Sequence, residues 1–456
     1  MLRPDISPCH HHATGRYLLA RTSSYGPDGT ATDNGANPAS APGVHPRLWL
    51  VVGVLVLFAG SGRAAAQPAE DAPQGRYLFG SSLSLTPAVS MVIGRDTNAI
   101  RTDTGSAAGE VYVVPQVEGW LGRGRVRLNF ADAVEFSKQQ TADKLGGATV
   151  LNQYHVARID AGGARVALQA MGGYRDHYAP PTDFVGFQQG LKSRRIEREL
   201  GATLAVTPGG RLSYRAQFNR TGLRYDADER FRGASLEQNL NRDTTTYGAE
   251  GQLAITPLSS LSVSVSGYRD RFLQAPDRDG NGLRALIGGT FSPRALLSGR
   301  AEVGYLQYET VRGRARYGGP AYNLGLTFSR TPLLLDVSGR RSIDFSFDPS
   351  QGFYVSNGLD VFSLLSLGAV WEVFGRASFR GLSPRGPSAA REPFRVIEGY
   401  KSGLVRRLGL TTRVGADVER YVTGGLGGFS GVRATMFLIY GSTRLQRLDR
   451  PLPGGF

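Results

Sequence analysis

The chain has 456 residues and a formal net charge of +15, and 41% of its residues are hydrophobic. Each spanning helix of a polytopic helical membrane protein needs about 20 consecutive apolar residues, and no such run occurs. The positive balance points to anionic partners. The basic residues are spread through alternating segments rather than gathered in a tail or along one helix, which argues against nucleic acid.

Residues 1–46 are polar, rich in Gly, Pro and Ser, and aperiodic, so they have no means of burying a core. They read as a disordered extension or a misassigned start, with Val44 as an alternative initiation residue. Cys9 stands there beside His10, His11 and His12, a pattern able to bind metal. Residues 47–66 read as a signal peptide. Arg47 precedes the apolar run Leu48–Ala59, and Ala64-Ala65-Ala66 supplies an A-x-A site with cleavage after Ala66. A polar periplasmic linker (67–82) is expected next. The mature chain would hold no cysteine and hence no disulfide.

From Glu110 to Leu445 apolar and polar residues alternate in segments of about ten residues. Leu261, Val263 and Val265 interleave with Ser262, Ser264 and Ser266, and Leu212, Tyr214, Ala216 and Phe218 interleave with Arg211, Ser213, Arg215 and Gln217. Successive strand side chains point to opposite faces, so one face is apolar and the other charged. The segments pair through tight connections: Leu121-Gly-Arg-Gly124, Ala161-Gly-Gly163, Thr207-Pro-Gly-Gly210, Thr256–Ser260, Ser292-Pro-Arg294 and Thr331-Pro332. Proline presets φ at a turn corner and lacks the N–H that a continuing strand needs.

The opposite ends carry long polar segments such as 175–195, 224–243, 275–282 and 381–393. This rhythm predicts an all-β fold, a transmembrane antiparallel β-barrel of the bacterial outer membrane (83–448) with a C-terminal tail (449–456). Eight hairpins plus an opening strand at Leu83–Ile93 and a closing one at Val432–Leu445 make about eighteen strands, with sixteen as the other partition. Pro451 and Pro453 keep the tail out of the last strand.

Alternation assigns the faces. Val126, Leu128, Phe130, Val166, Leu168, Leu253, Ile255, Val303, Val414, Met436 and Leu438 are expected toward lipid. Arg125, Arg127, Arg165, Arg211, Arg215, Glu250, Arg300, Glu302, Arg413, Asp417 and Arg433 are expected to line the lumen. An arginine facing lipid at mid-membrane would cost about 2–4 kcal/mol. Tyr174, Tyr247, Tyr268, Tyr308, Tyr322, Tyr354, Tyr400 and Tyr421 stand where strands meet long loops and are expected to form an aromatic girdle.

Motifs for chemistry are sparse. His155 lacks a local nucleophile signature, so a hydrolase reading has only that imidazole to rest on. Asp277, Asp279 and Asn281 match the first half of a calcium loop, but Gly288 stands where the bidentate acid belongs. No cofactor and no catalytic residue is expected.

Leu85-Thr-Pro87, Asp96-Thr-Asn98, the segment Val111–Val117 with its internal Pro115, and Gly288–Tyr305 resemble the putative β-barrel porin type 2 group. That resemblance covers roughly Tyr77 to Leu445. It implies an outer-membrane barrel of a Gram-negative cell, of a kind often associated with exopolysaccharide export, and it carries over no catalytic residue. The expected function is a porin- or secretin-like channel for a polar, anionic or polysaccharide solute, with lumenal arginines supplying a positive potential. Expected partners are outer-membrane lipid and lipopolysaccharide, polysaccharide and a periplasmic export system. Three alternatives compete: a plugged or narrow barrel whose loops bind surface polysaccharide, an outer-membrane hydrolase, and a soluble β-sandwich or solenoid.

Overall fold

The computed structural model describes residues 76–77, 83–96, 108–141, 149–163, 165–179, 193–231, 234–293, 295–311, 315–345, 352–386, 395–408, 412–425 and 433–444. The expected signal peptide, the Cys9–His12 run and the C-terminal tail lie outside them.

Eighteen long strands build the wall. They are β1 (Leu83–Asp96), β2 (Ala108–Arg123), β3 (Val126–Thr141), β4 (Thr149–Gly162), β5 (Val166–Ala179) and β6 (Ser193–Gly209). Then come β7 (Leu212–Tyr225), β8 (Arg242–Thr256), β9 (Ser259–Phe272), β10 (Gly280–Phe291), β11 (Leu297–Thr310) and β12 (Arg316–Arg330). The last six are β13 (Leu333–Asp344), β14 (Phe353–Leu367), β15 (Trp371–Arg385), β16 (Arg395–Leu408), β17 (Thr412–Gly425) and β18 (Arg433–Arg444).

Each strand pairs antiparallel with its neighbours, and β1 closes on β18 from Ala88↔Arg444 to Asp96↔Met436. Closure leaves no sheet edge, which a wall in hydrocarbon requires. Among the described residues no helix is long and apolar enough to cross a membrane. Crossing falls to the strands, which at 12 to 17 residues exceed the 9–11 or so that a bilayer needs.

The tight connections are where the sequence places them. Arg123↔Val126 closes the β2–β3 hairpin around Gly124, whose φ of 63° suits the first corner of a two-residue turn. The wall turns one face to each side as the alternation predicts. Ile287, Val263 and Val303 pair across β9–β11 on one face and are 51, 49 and 63% exposed, while Ser262, Glu302 and Leu306 on the other are at most 3% exposed.

Two loops at the end opposite the tight turns fold onto the inner wall. The helix α1 (Leu236–Leu240) is capped by Ser235, whose Oγ accepts the Gln238 N–H at 3.3 Å. Its Leu236 and Leu240 are buried in a cluster with the inward-facing Phe272, Leu306 and Tyr308. Arg278, in the short 3-10 turn Pro276–Arg278, ties the loops together by donating to the Asn239 carbonyl at 2.6 Å.

Register corrects several sequence assignments. In β9 the outward set is Leu261, Val263 and Val265, so Tyr268 shares the inward face with Ser262. Tyr308 is opposite Gly282, itself opposite Tyr268, and is fully buried. Tyr354 is also buried inward. These three belong to the lumenal cluster, not to a girdle. Tyr247 and Tyr400 are exposed on the outer face, and Tyr174 and Tyr322 are half-buried there. Leu438 is buried opposite Asp417 on the inner face rather than turned to lipid. Side chains of Tyr421, Arg433 and Met436 lie outside those described.

Candidate functional site in the barrel lumen

The inner wall is built from strand positions that alternate with the apolar outer set, and most of its charges meet an opposite charge. In β8, Glu250 lies between two arginines from different strands: Arg300 Nη2 is 2.7 Å from its Oε1, and Arg215 Nη1 is 3.6 Å from its Oε2. Arg300 also reaches Glu302 at 3.4 Å. The Glu302 carboxylate accepts from Ser262 Oγ at 3.0 Å and from Asn323 Nδ2 at 3.1 Å. One chain of contacts thus runs from β7 to β12.

Further around the wall, Arg376 grips Asp360 with two N–H groups at 2.8 and 3.0 Å. Glu372 is shared by Arg407 and Arg413, and Lys401 Nζ lies 3.3 Å from Asp417 and 3.8 Å from Glu419. Nearer the loops, Glu197 gathers Arg195 at 2.8 Å, Arg175 at 3.0 Å and His177 at 3.4 Å. Near the tight turns, Asp160 accepts from Asn129, Arg158 and Gln169 at 2.7–2.9 Å. Breaking a buried pair by removing one partner costs about 3–5 kcal/mol, so such a wall tolerates few substitutions.

Of the predicted lumen residues, Arg215, Glu250, Arg300, Glu302, Arg413 and Asp417 face inward in these pairs. Arg127 also faces inward, with its guanidinium 5.0 Å from the ring centre of the buried Trp120. Arg125, Arg165 and Arg211 do not join the interior lining. They are exposed residues of the tight turns, because each stands just before the first residue of β3, β5 or β7. Alternation between two faces ends where the strand gives way to the turn.

The lumen also holds residues that the sequence reading passed over. Arg284 and Arg340 face inward, opposite Leu306 and Asn323. Among the described residues neither lies within ion-pair distance of a carboxylate. Their inward parity with Arg300 and Ser338 was the signal available.

The remaining candidates are not brought together. Asp279 Oδ1 accepts the Phe272 N–H at 2.7 Å, which makes it a turn residue. Asn281 sits exposed in β10 on the outward side with Leu283 and Ile287. No group of three metal-ligating side chains occurs among the described residues. His155 is on the outer face, its Nδ1 2.5 Å from Asp132 Oδ1 and its ring stacked on Tyr174 at 5.9 Å. Its hydrogen bond goes to that carboxylate and not to a hydroxyl nucleophile.

A family model described as "Putative beta-barrel porin 2" matches residues 73–361. The chain belongs to the putative beta-barrel porin 2 family. It is a porin-like β-barrel of the bacterial outer membrane. No curated protein matches its sequence.

Solved structures similar to this porin-family barrel include OpdK from Pseudomonas aeruginosa, with 8% identity and a TM-score of 0.45 over 79% of this chain and 99% of that one. A BenF-like porin from Pseudomonas fluorescens Pf-5 matches with 10% identity and a TM-score of 0.44, over 80% of this chain and 99% of that one. The siderophore receptor PirA from Acinetobacter baumannii matches with 9% identity and a TM-score of 0.44 over 78% of this chain. The match spans 65% of the receptor, less than two thirds of its length.

Proposed function

We propose that this porin-family barrel is a passive channel, not an enzyme, for a small polar or anionic solute. The observation that carries this reading is the inner wall. Charged side chains from β4 to β17 stand at membrane depth on the inner face and are matched in ion pairs, which is affordable only where water or protein replaces lipid. Selectivity would come from the inward arginines that the pairing leaves over, Arg127, Arg284 and Arg340, and not from the turn arginines. Polysaccharide as cargo, and a periplasmic export system as partner, are the extended form of the same proposal.

Toward the loop end of β7, Arg220 and Arg224 flank Asp243 on the outer face. Their guanidinium groups suit the phosphates of lipopolysaccharide, which we propose as the surrounding lipid. A second reading, a narrow barrel whose loops hold polysaccharide, is favoured by the burial of Leu236 and Leu240 against the inner wall.

Liposome swelling separates the two. The refolded chain in phosphatidylcholine vesicles should pass an anionic sugar faster than a neutral sugar of equal size. Swelling rates equal to those of empty vesicles for both sugars would remove the channel reading.

A further inference from the structure

The β12–β13 joint of the wall is interrupted on its extracellular side. β12 and β13 share eight rungs, from Arg330↔Leu333 up to Asn323↔Arg340. Their other neighbours, β11 and β14, are paired to them over thirteen and twelve. Above Asn323 and Arg340 the segments Arg316–Tyr322 and Arg341–Asp344 do not pair with each other. At about 3.3 Å per residue and a tilt of about 40°, eight rungs climb about 20 Å from the tight turn. The seam therefore opens within the outer part of an apolar band about 25 Å tall.

Pro320 accounts for the break. Continued register would set it against Ile343, and proline has no N–H to give. Its carbonyl points into the seam, where Arg341 Nη1 donates to it at 2.8 Å. The same nitrogen donates to Tyr317 Oη at 3.2 Å, and Arg341 Nε donates to Asn357. From inside, Arg284 Nη2 donates to the Arg341 carbonyl at 2.5 Å. It reaches there across Gly319, which lies opposite Leu306. Outside, the Tyr322 ring crosses Gly339, and its hydroxyl donates to the Gly358 carbonyl at 3.4 Å. Side chains, not a backbone ladder, hold this joint shut.

Its chemistry differs from the rest of the lumen in two ways. Arg284, Arg340 and Arg341 meet no carboxylate at ion-pair distance among the described residues, and Arg284 Nε is buried without a partner. Flanking carboxylates are engaged elsewhere: Glu302 holds Ser262, Asn323 and Arg300, and Asp344 takes the Phe345 N–H at 2.8 Å. Beside these cations the inner wall is apolar, with Leu286, Leu306, Tyr308, Ala321 and Phe345 in one buried cluster. Three guanidinium groups outside ion-pair distance of any described carboxylate, next to an apolar cluster at a break in the wall, suit a molecule with an anionic head and a hydrocarbon tail.

We propose that the β12–β13 seam is a lateral portal that binds an anionic single-chain amphiphile, an alkyl phosphate or carboxylate, and passes it between lumen and outer leaflet. Release of Arg341 from Pro320 and Tyr317 opens it. The proposal rests on the lumen being open, so its test keeps lumenal conduction as a separate readout.

The probe is a fluorescent dodecyl phosphate added to the full chain in maltoside micelles. Binding should be saturable and resist inorganic phosphate at equal concentration. It should weaken about tenfold or more in Arg284→Gln/Arg341→Gln, as loss of charge-assisted hydrogen bonds implies. Equal competition by inorganic phosphate would mean that the head alone is recognised and would overturn the amphiphile. Unchanged affinity in the double variant would overturn the site. Independently, Ala321→Cys/Ser342→Cys in a Cys9→Ser background should, once cross-linked, stop probe transfer to phosphatidylcholine vesicles while chloride conductance persists. Transfer that continues through the cross-linked barrel would refute a lateral route, and joint loss of transfer and conductance would show that only the lumen was blocked.

Discussion

From β7 to β11 adjacent strands are laddered over twelve or more rungs, and the arginines Arg215 and Arg300 are held by Glu250 and Glu302. Between β12 and β13 the ladder stops at Asn323, and Arg284, Arg340 and Arg341 meet no carboxylate at ion-pair distance among the described residues. Both regions share the same alternation and the same closed sheet. What separates them is one proline and the absence of paired acids. A barrel wall is therefore uniform in its backbone rule and local in its chemistry: where backbone pairing continues, charges can be neutralised strand by strand, and where it fails, side chains must fill the gap.

The largest expected effect lies on the laddered side. Glu250→Ala strips Arg215 of its carboxylate and removes one of the two carboxylates that hold Arg300. Urea unfolding in detergent should show a loss of about 3–5 kcal/mol, the usual cost of orphaning a buried charge. A loss under about 1 kcal/mol would mean that water already screens the pair.

At the seam the expected change has the opposite sign and is smaller. Pro320→Thr restores an N–H facing β13, so a new rung should add about 1 kcal/mol. Hydrogen exchange at Arg341–Asp344 should slow at the same time. If exchange there stays as fast as in the parent chain, something other than the missing N–H keeps the strands apart. The smallest effect belongs to Arg340→Gln, which removes a charge that no described carboxylate meets at ion-pair distance. Its stability should stay within about 0.5 kcal/mol of the parent, and a larger loss would reveal a partner for Arg340.

Much of this fold was legible because alternation and turn chemistry agree. The Leu261–Ser266 stretch reveals both faces of β9, and Thr-Pro-Gly-Gly at 207–210 marks one tight end where β6 meets β7. Tyr268, Tyr308 and Tyr354 lie near strand ends, as girdle residues do, but they share the inward parity of their strands, and parity decides the face. Arg125, Arg165 and Arg211 are the opposite case, since alternation loses meaning inside a turn. Leu236 and Leu240 stand as isolated apolar residues in a polar loop, and nothing local says that the loop folds inward. The seam was half visible. Pro320 inside a strand argues for an unpaired edge, but the residues that fill the gap come from β10, β12 and β13, and the side-chain contacts that bring them together are long-range.

A water-filled lumen bounded by paired charges should conduct ions. Single-channel recording of the refolded chain from Gln67 in a planar bilayer, under a salt gradient, tests it most directly. Stable conductance with a reversal potential on the anion-selective side is expected. A heat-modifiable, fully folded barrel that carries no current would contradict it.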